Sequence, residues 1–401
     1  MVIREYCECK VCGQILCIRA GVGLEAKCQH QFDCPNCHSP IVLFVCIGTP
    51  PAAWIEFQEN SSKVQYKEDA TVINLHPSIA FESEDYHSPI VFASMKLTKL
   101  VAPYMRVPDD SRTRDVAQDF ELPETKQLWE IVRNVLRLYQ VGDPAGVISS
   151  QIARYQASRQ KFHKWFRCST VFKCVASFFD DLMYPAIGNL RQPLRVLISD
   201  LRRDNLAELN KFQAYYRLEL EKESLARFLS LFDDYISNFD QFRQLYVHAR
   251  VGDDNVDGLI VGAKNFEKVK LFYGQAYETL TSAYITLACL NNIKQGRPYD
   301  VFQSMTLTKY IKDLDKSKKS NAFLVEPCLA SFSKWDDSAL RNGSHHASIV
   351  REGEKVKYRS GGTGAEREIT YARYLHVCNG IAIACAALML VELQEFSSIA
   401  P

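Results

Sequence analysis

Two Cys-x-x-Cys pairs near the N-terminus constrain this chain more than any other feature. Cys9-Lys-Val-Cys12 is followed at once by Gly13, and Cys34-Pro-Asn-Cys37 comes after the intervening residues 13–33. Each pair folds readily into a tight turn that aims two thiolates at one point. Two such turns complete a tetrahedral four-sulfur site for a structural Zn2+ ion. Gly13 provides a position without a Cβ where the turn needs one, and Pro35-Asn36 is turn chemistry. Residues 15–18 and 41–47, which follow the turns, are β-type runs. Eight of the 14 cysteines lie between Cys7 and Cys46 and the other six are scattered. That is not the even framework of a small disulfide-bonded secreted domain. A redox pair is the rival to a metal, but two copies at this spacing favour zinc. Cys7, Cys28, His30 and His38 are spare possible donors, read as side chains that support the site from behind its ligands or are simply solvated.

Residues 1–48 resemble the zinc-ribbon family, whose members bind nucleic acid, bind protein or hold a terminus together. The 401 residues leave room for two or three domains, and the composition is that of an ordinary globular chain. A net charge of +1 means that any nucleic-acid contact has to come from local patches. The opening residues are charged and cysteine-rich, with no apolar leader. The apolar run 380–393 is shorter than the roughly 20 residues a membrane span needs. A cytoplasmic protein with no membrane partner is therefore expected, and the sequons at Asn60 and Asn342 carry no weight.

Residues 49–124 read as a β-containing connector. Short β-like runs at 54–57, 70–75 and 90–93 alternate with prolines, and 108–115 looks like an exposed linker. From 125 the register becomes helical, with Leu128, Ile131, Val132, Val135 and Leu136 at helical spacing after Pro123-Glu124. A second helical stretch is expected over 152–179. Its segment 154–167 carries five Arg or Lys interleaved with aromatics. Such a stripe suits an RNA backbone with stacked bases, or simply a basic solvated face over a core. Further helices are expected over 206–239, 267–293 and 310–315, with a short helical run at 328–340. A β-hairpin with a glycine-rich tip follows over 348–369, and a long apolar helix covers 371–396.

The segment Ser338-Ala-Leu-Arg341-Asn342-Gly343-Ser344-His345-His346 carries the chemistry. A fixed guanidinium beside imidazoles that exchange protons near neutrality is equipment for work on a phosphodiester. On an unbroken helix Arg341 and His346 lie about 140° apart, whereas His345 sits one turn above Arg341. A break at Gly343, or a site shared between two chains, would bring Arg341 and His346 together. A Ser-His-Asp hydrolase is disfavoured, because no G-x-S-x-G is present and Ser344 is too close to the histidines along the chain.

Arg341-Asn342-x-x-x-His346, with helices before it and a hairpin and helix after it, resembles the R-x4-H motif of the HEPN superfamily. The resemblance covers about residues 225–401. It implies a mainly α fold: a C-terminal HEPN-like helical bundle with a small β-hairpin insert, within a helical region 125–401. It implies a metal-independent endoribonuclease acting through 2′-hydroxyl attack to leave 2′,3′-cyclic phosphate ends. Arg341 would stabilise the charged phosphorane, His346 would act as general base or acid, and Asn342 would position the histidine or the phosphate. His345, where small or apolar residues are usual, leaves open which histidine works. An acidic residue from an earlier helix often joins such sites; Asp253, Asp254 and Glu278 are candidates. The family implies an RNA substrate, a homodimer, and a role as toxin or effector in bacterial phage defence. The zinc ribbon would then receive a protein trigger or antitoxin. The alternative is a non-catalytic HEPN-like adaptor that binds RNA or protein, with the ribbon as sensor.

Overall fold

A computed structural model describes the chain apart from residues 24, 50, 105–119, 121, 144, 165, 346–347, 361–363 and 400–401. The fold is mainly α, with several small sheets. It divides into two compact units: Met1–Met105, Ser237–Leu271 and Asn342–Asn379 form the first, and Arg106–Ile236, Phe272–Arg341 and Gly380–Pro401 the second. The division falls within two helices, Ser338–His345 and Tyr371–Glu395.

In the first unit, β1 (Val2–Cys9) and β2 (Ile15–Gly21) form one antiparallel hairpin. β3 (Lys27–Asp33) and β4 (Pro40–Ile47) form another. The expected connector does not stand apart from them. β5 (Ala53–Phe57) pairs with β4, β6 (Ser61–Val64) with β1, and β7 (Thr71–Leu75) lies parallel to β2. Two sheets result, ordered β6-β1-β2-β7 and β3-β4-β5. Neither hairpin can cover both its faces alone, so the later strands extend them and pool a core of Leu16, Ile18, Phe32, Ile41, Leu43 and Ile73. A short pair joins β8 (Phe81–Glu82) to β9 (Leu259–Ile260). Residues 90–93 are not a strand: helix Ala93–Val101 begins there, following the turn that the Ser88 hydroxyl makes with the Ile90 carbonyl. The expected linker at 108–115 lies outside the described residues.

The predicted hairpin over 348–369 is a three-stranded antiparallel sheet of β10 (Ile349–Glu352), β11 (Lys355–Arg359) and β12 (Glu366–Thr370). Residues 361–363 of its glycine-rich tip lie outside the described residues. Arg351 reaches from β10 to Asp33 of β3 at 2.8 Å, and the buried Lys264 pairs with Glu354.

The second unit is built on helix Phe272–Lys294, most of whose residues are buried, and on the apolar C-terminal part of helix Tyr371–Glu395. The latter is long and apolar enough to cross a membrane, but its most apolar window is 94% buried. Around them lie helices Thr125–Gln140, Ile148–Gln160, Val171–Met183, Ala186–Asp204 and the run from Leu206 to Ser237. The single helix expected over 152–179 is two helices separated by non-helical backbone. The stripe is a basic solvated face over a core: Arg154, Lys161, Lys164 and Arg167 are exposed, whereas Arg159 is 2% exposed and pairs with Asp181, which is 1% exposed. Tyr155 is fully buried, and Trp165 lies outside the described residues. A buried guanidinium needs its counter-charge, and the next helix provides it.

Candidate functional site

The best-defined constellation in the first unit is the cysteine cluster. The two turns are near copies of each other. Gly13 N–H donates to Cys9 O at 2.8 Å and His38 N–H to Cys34 O at 2.9 Å. Cys9 N–H donates to Gln14 O, and Cys34 N–H to Ser39 O, both at 2.9 Å. Both turns therefore place their fifth residue in the left-handed region, Gly13 at φ 75° and His38 at φ 59°. His38 is thus a backbone element of the second turn.

The four sulfurs of Cys9, Cys12, Cys34 and Cys37 lie within 4.8 Å of one another. Cys9 and Cys37 are 3.7 Å apart across the turns, as are Cys12 and Cys34. A tetrahedron with Zn–S bonds of about 2.3 Å has sulfur–sulfur edges of about 3.8 Å, so the thiols fit zinc. Hydrogen bonds from Ser39 lower the pKa of Cys37 to about 6, which favours its thiolate. Cys7, by contrast, is held as a thiol: burial, then the neighbouring Cys9 and Cys34, push it up to about 12. His30 is fully buried in β3, with the backbone of Gly262 beside its ring. A bound ion would tie hairpin β1-β2 to hairpin β3-β4, which otherwise belong to different sheets.

The Arg341 segment is helix Ser338–His345. Asp337 starts it as an N-cap, its Oδ1 accepting from Ala339 N at 2.8 Å and Leu340 N at 3.0 Å. Tyr273, on the central helix of the second unit, anchors the approach. Its hydroxyl donates to Trp335 O at 2.7 Å and accepts from Asp337 N at 2.8 Å. The expected break at Gly343 is absent, because the helix runs through it. The glycine serves packing instead. A Cβ there would lie 2.8 Å from Tyr358 Cβ on β11, closer than real side chains approach. Next to it, Ser344 is buried and donates to Lys270 O at 2.6 Å.

Arg341 is half-buried and held by Glu278 of helix Phe272–Lys294. Its Nε donates to Glu278 Oε1 at 2.7 Å and its Nη2 pairs with the same oxygen. Lys316 pairs with the other oxygen, Oε2. Of the three candidate acids, Glu278 is therefore the one bonded to Arg341. Asp253 pairs with His248 Nδ1 at 2.8 Å and Asp254 with His376 Nε2 at 3.0 Å, both in the first unit. Asn342 is half-buried, and His345 is exposed one helical turn beyond Arg341. His346 lies outside the described residues. Lys316 was not singled out from sequence; the only signal was its place in the lysine-rich run Lys316-Ser-Lys-Lys319. Two N–H groups held on one carboxylate oxygen fix the direction of the guanidinium.

No protein-family model, curated protein or solved structure matches this chain.

Proposed function

We propose that the chain is a metal-independent endoribonuclease of HEPN type whose working groups are Arg341, Asn342 and the His345-His346 pair. The observation that carries this reading is the Arg341–Glu278 clamp. An arginine followed by asparagine, on a short helix before a small sheet, is oriented by a carboxylate from the central helix. In the proposed reaction the 2′-oxygen of a nucleotide attacks its own 3′-phosphorus. The O2′–P bond forms as the P–O5′ bond breaks. His346 takes the proton from O2′, and the leaving 5′-oxygen is protonated by the imidazolium of a second protomer. Arg341 balances the charge that builds on the phosphoryl oxygens. The products are a 2′,3′-cyclic phosphate and a 5′-hydroxyl. By family analogy the activity is that of a defence effector or toxin, with the cysteine-rich head as sensor.

The pairing of Arg341 also favours a second reading, in which the clamp is purely structural and the chain is a non-catalytic adaptor. Incubating purified protein with total or transfer RNA in excess chelator separates the two. The nuclease reading expects cleavage that survives chelation and is lost in Arg341→Ala and His346→Ala. Cleavage by both variants at the wild-type rate would refute the site. No cleavage by the wild type, with RNA or protein bound, would favour the adaptor.

A further inference from the structure

The second unit contains a cavity of about 220 Å³ onto which three cations converge, Arg227, Lys316 and Lys319, beside the apolar side chains of Leu220, Phe228 and Ile311. Lys319 is the informative one. It is only 4% exposed, yet among the described residues no carboxylate pairs with it. Its ammonium makes one long contact, 3.4 Å to Ile311 O, and lies 5.5 Å from the centre of the Tyr310 ring. A buried ammonium without a counter-charge is unfavourable unless something else completes the site. Burial lowers the pKa of both Lys316 and Lys319, and the charge of Arg227 lowers both further, so the three cations feel one another. The carboxyls that line the cavity do not restore the balance. Glu223 is taken up by Arg227, one turn away on the same helix. Burial pushes Glu392 up to about 7, so near neutrality it is only partly ionised.

We propose that this cavity binds a small phosphomonoester, whose phosphoryl oxygens supply the counter-charge that Lys319 lacks and also reach Lys316 and Arg227, which Glu278 and Glu223 hold, while its carbon skeleton packs on Leu220, Phe228 and Ile311. The volume suits a sugar phosphate. The apolar lining favours an ester over the bare anion. The site is also linked to Arg341, since Lys316 pairs with Glu278, the residue that clamps Arg341. An anion in the cavity competes with Glu278 for Lys316. The binding claim is independent of RNA cleavage.

Isothermal titration calorimetry of the full chain at low salt tests it, with ribose 5-phosphate, inorganic phosphate and ribose as probes. Ribose 5-phosphate should bind, inorganic phosphate at least fivefold more weakly, and ribose should give no heat. Lys319→Met and the more exposed Arg227→Gln should each weaken ribose 5-phosphate binding tenfold or more. Glu278→Gln should tighten it several-fold by releasing Lys316. If Lys319→Met fails to fold, Arg227→Gln alone carries the test. No binding by either phosphate at millimolar concentration, or unchanged affinity in Arg227→Gln, overturns the site. Equal affinity for the two phosphates overturns the ester assignment, and unchanged affinity in Glu278→Gln overturns the link to Arg341.

Discussion

Replacing Glu392 by glutamine should make the protein slightly less stable below about pH 5 and increasingly more stable above it. Glu392 is 2% exposed. Its carboxyl accepts from Thr286 Oγ1 at 2.5 Å, Ser224 Oγ at 2.7 Å and Tyr216 OH at 3.0 Å. Those three donors favour the charged form, yet burial outweighs them and raises the group from 4.5 to about 7. A folded pKa above the unfolded one gives a contribution that is present in full below about pH 4.5 and lost as pH rises through about 7. Raising the carboxyl from 4.5 to about 7 is worth about 3 kcal/mol. Glutamine keeps the shape and never ionises. However, its NH2 group faces either the Thr286 hydroxyl or those of Ser224 and Tyr216, so at least one donor must rotate, at about 1 kcal/mol regardless of pH. The wild type should therefore be about 1 kcal/mol more stable near pH 4.5, and the variant about 2 kcal/mol more stable near pH 8. Urea unfolding of both proteins at several pH values gives the difference directly, because every other titrating group cancels. A difference that stays flat from pH 5 to pH 8 would refute the argument, as would one that moves in favour of the wild type.

Three further outcomes follow from the same geometry. Gly343→Ala should lower stability by about 1–2 kcal/mol, because crowding Tyr358 costs more than the roughly 1 kcal/mol of helix propensity it gains; a neutral or higher melting temperature would contradict this. Purified protein should contain one zinc per chain and the Cys34→Ser/Cys37→Ser double variant almost none, with zinc undiminished in the variant refuting the cluster. Gly13→Ala should destabilise the metal-loaded protein by about 1 kcal/mol, whereas His38→Gly should not destabilise it, because both positions are left-handed. Equal losses in the two variants would be inconsistent with that backbone geometry.

Local features were legible in the sequence. The two cysteine turns, the helix that starts after Pro123-Glu124 and the strands after residue 348 all follow from short-range spacing and turn chemistry. What escaped depends on partners far along the chain. β5, β6 and β7 looked like fragments of a connector, because nothing within 49–75 reveals that β1, β2 and β4 offer unpaired edges. Arg159 matched a basic stripe by its neighbours, but its environment is set by Asp181 on the next helix. Gly343 read as a weak point in its helix, when its lack of a side chain is used by Tyr358 on β11. Glu278 was one acid among three until Arg341 selected it.

The nuclease claim meets its most direct test in the chemistry of the RNA ends. RNA incubated with wild-type protein in excess chelator should yield fragments with 2′,3′-cyclic phosphates and 5′-hydroxyls. The same reaction should fail with Arg341→Ala and with one of His345→Ala or His346→Ala, which identifies the working histidine. Fragments carrying 5′-phosphates, or cleavage that persists in all three variants, would contradict the account.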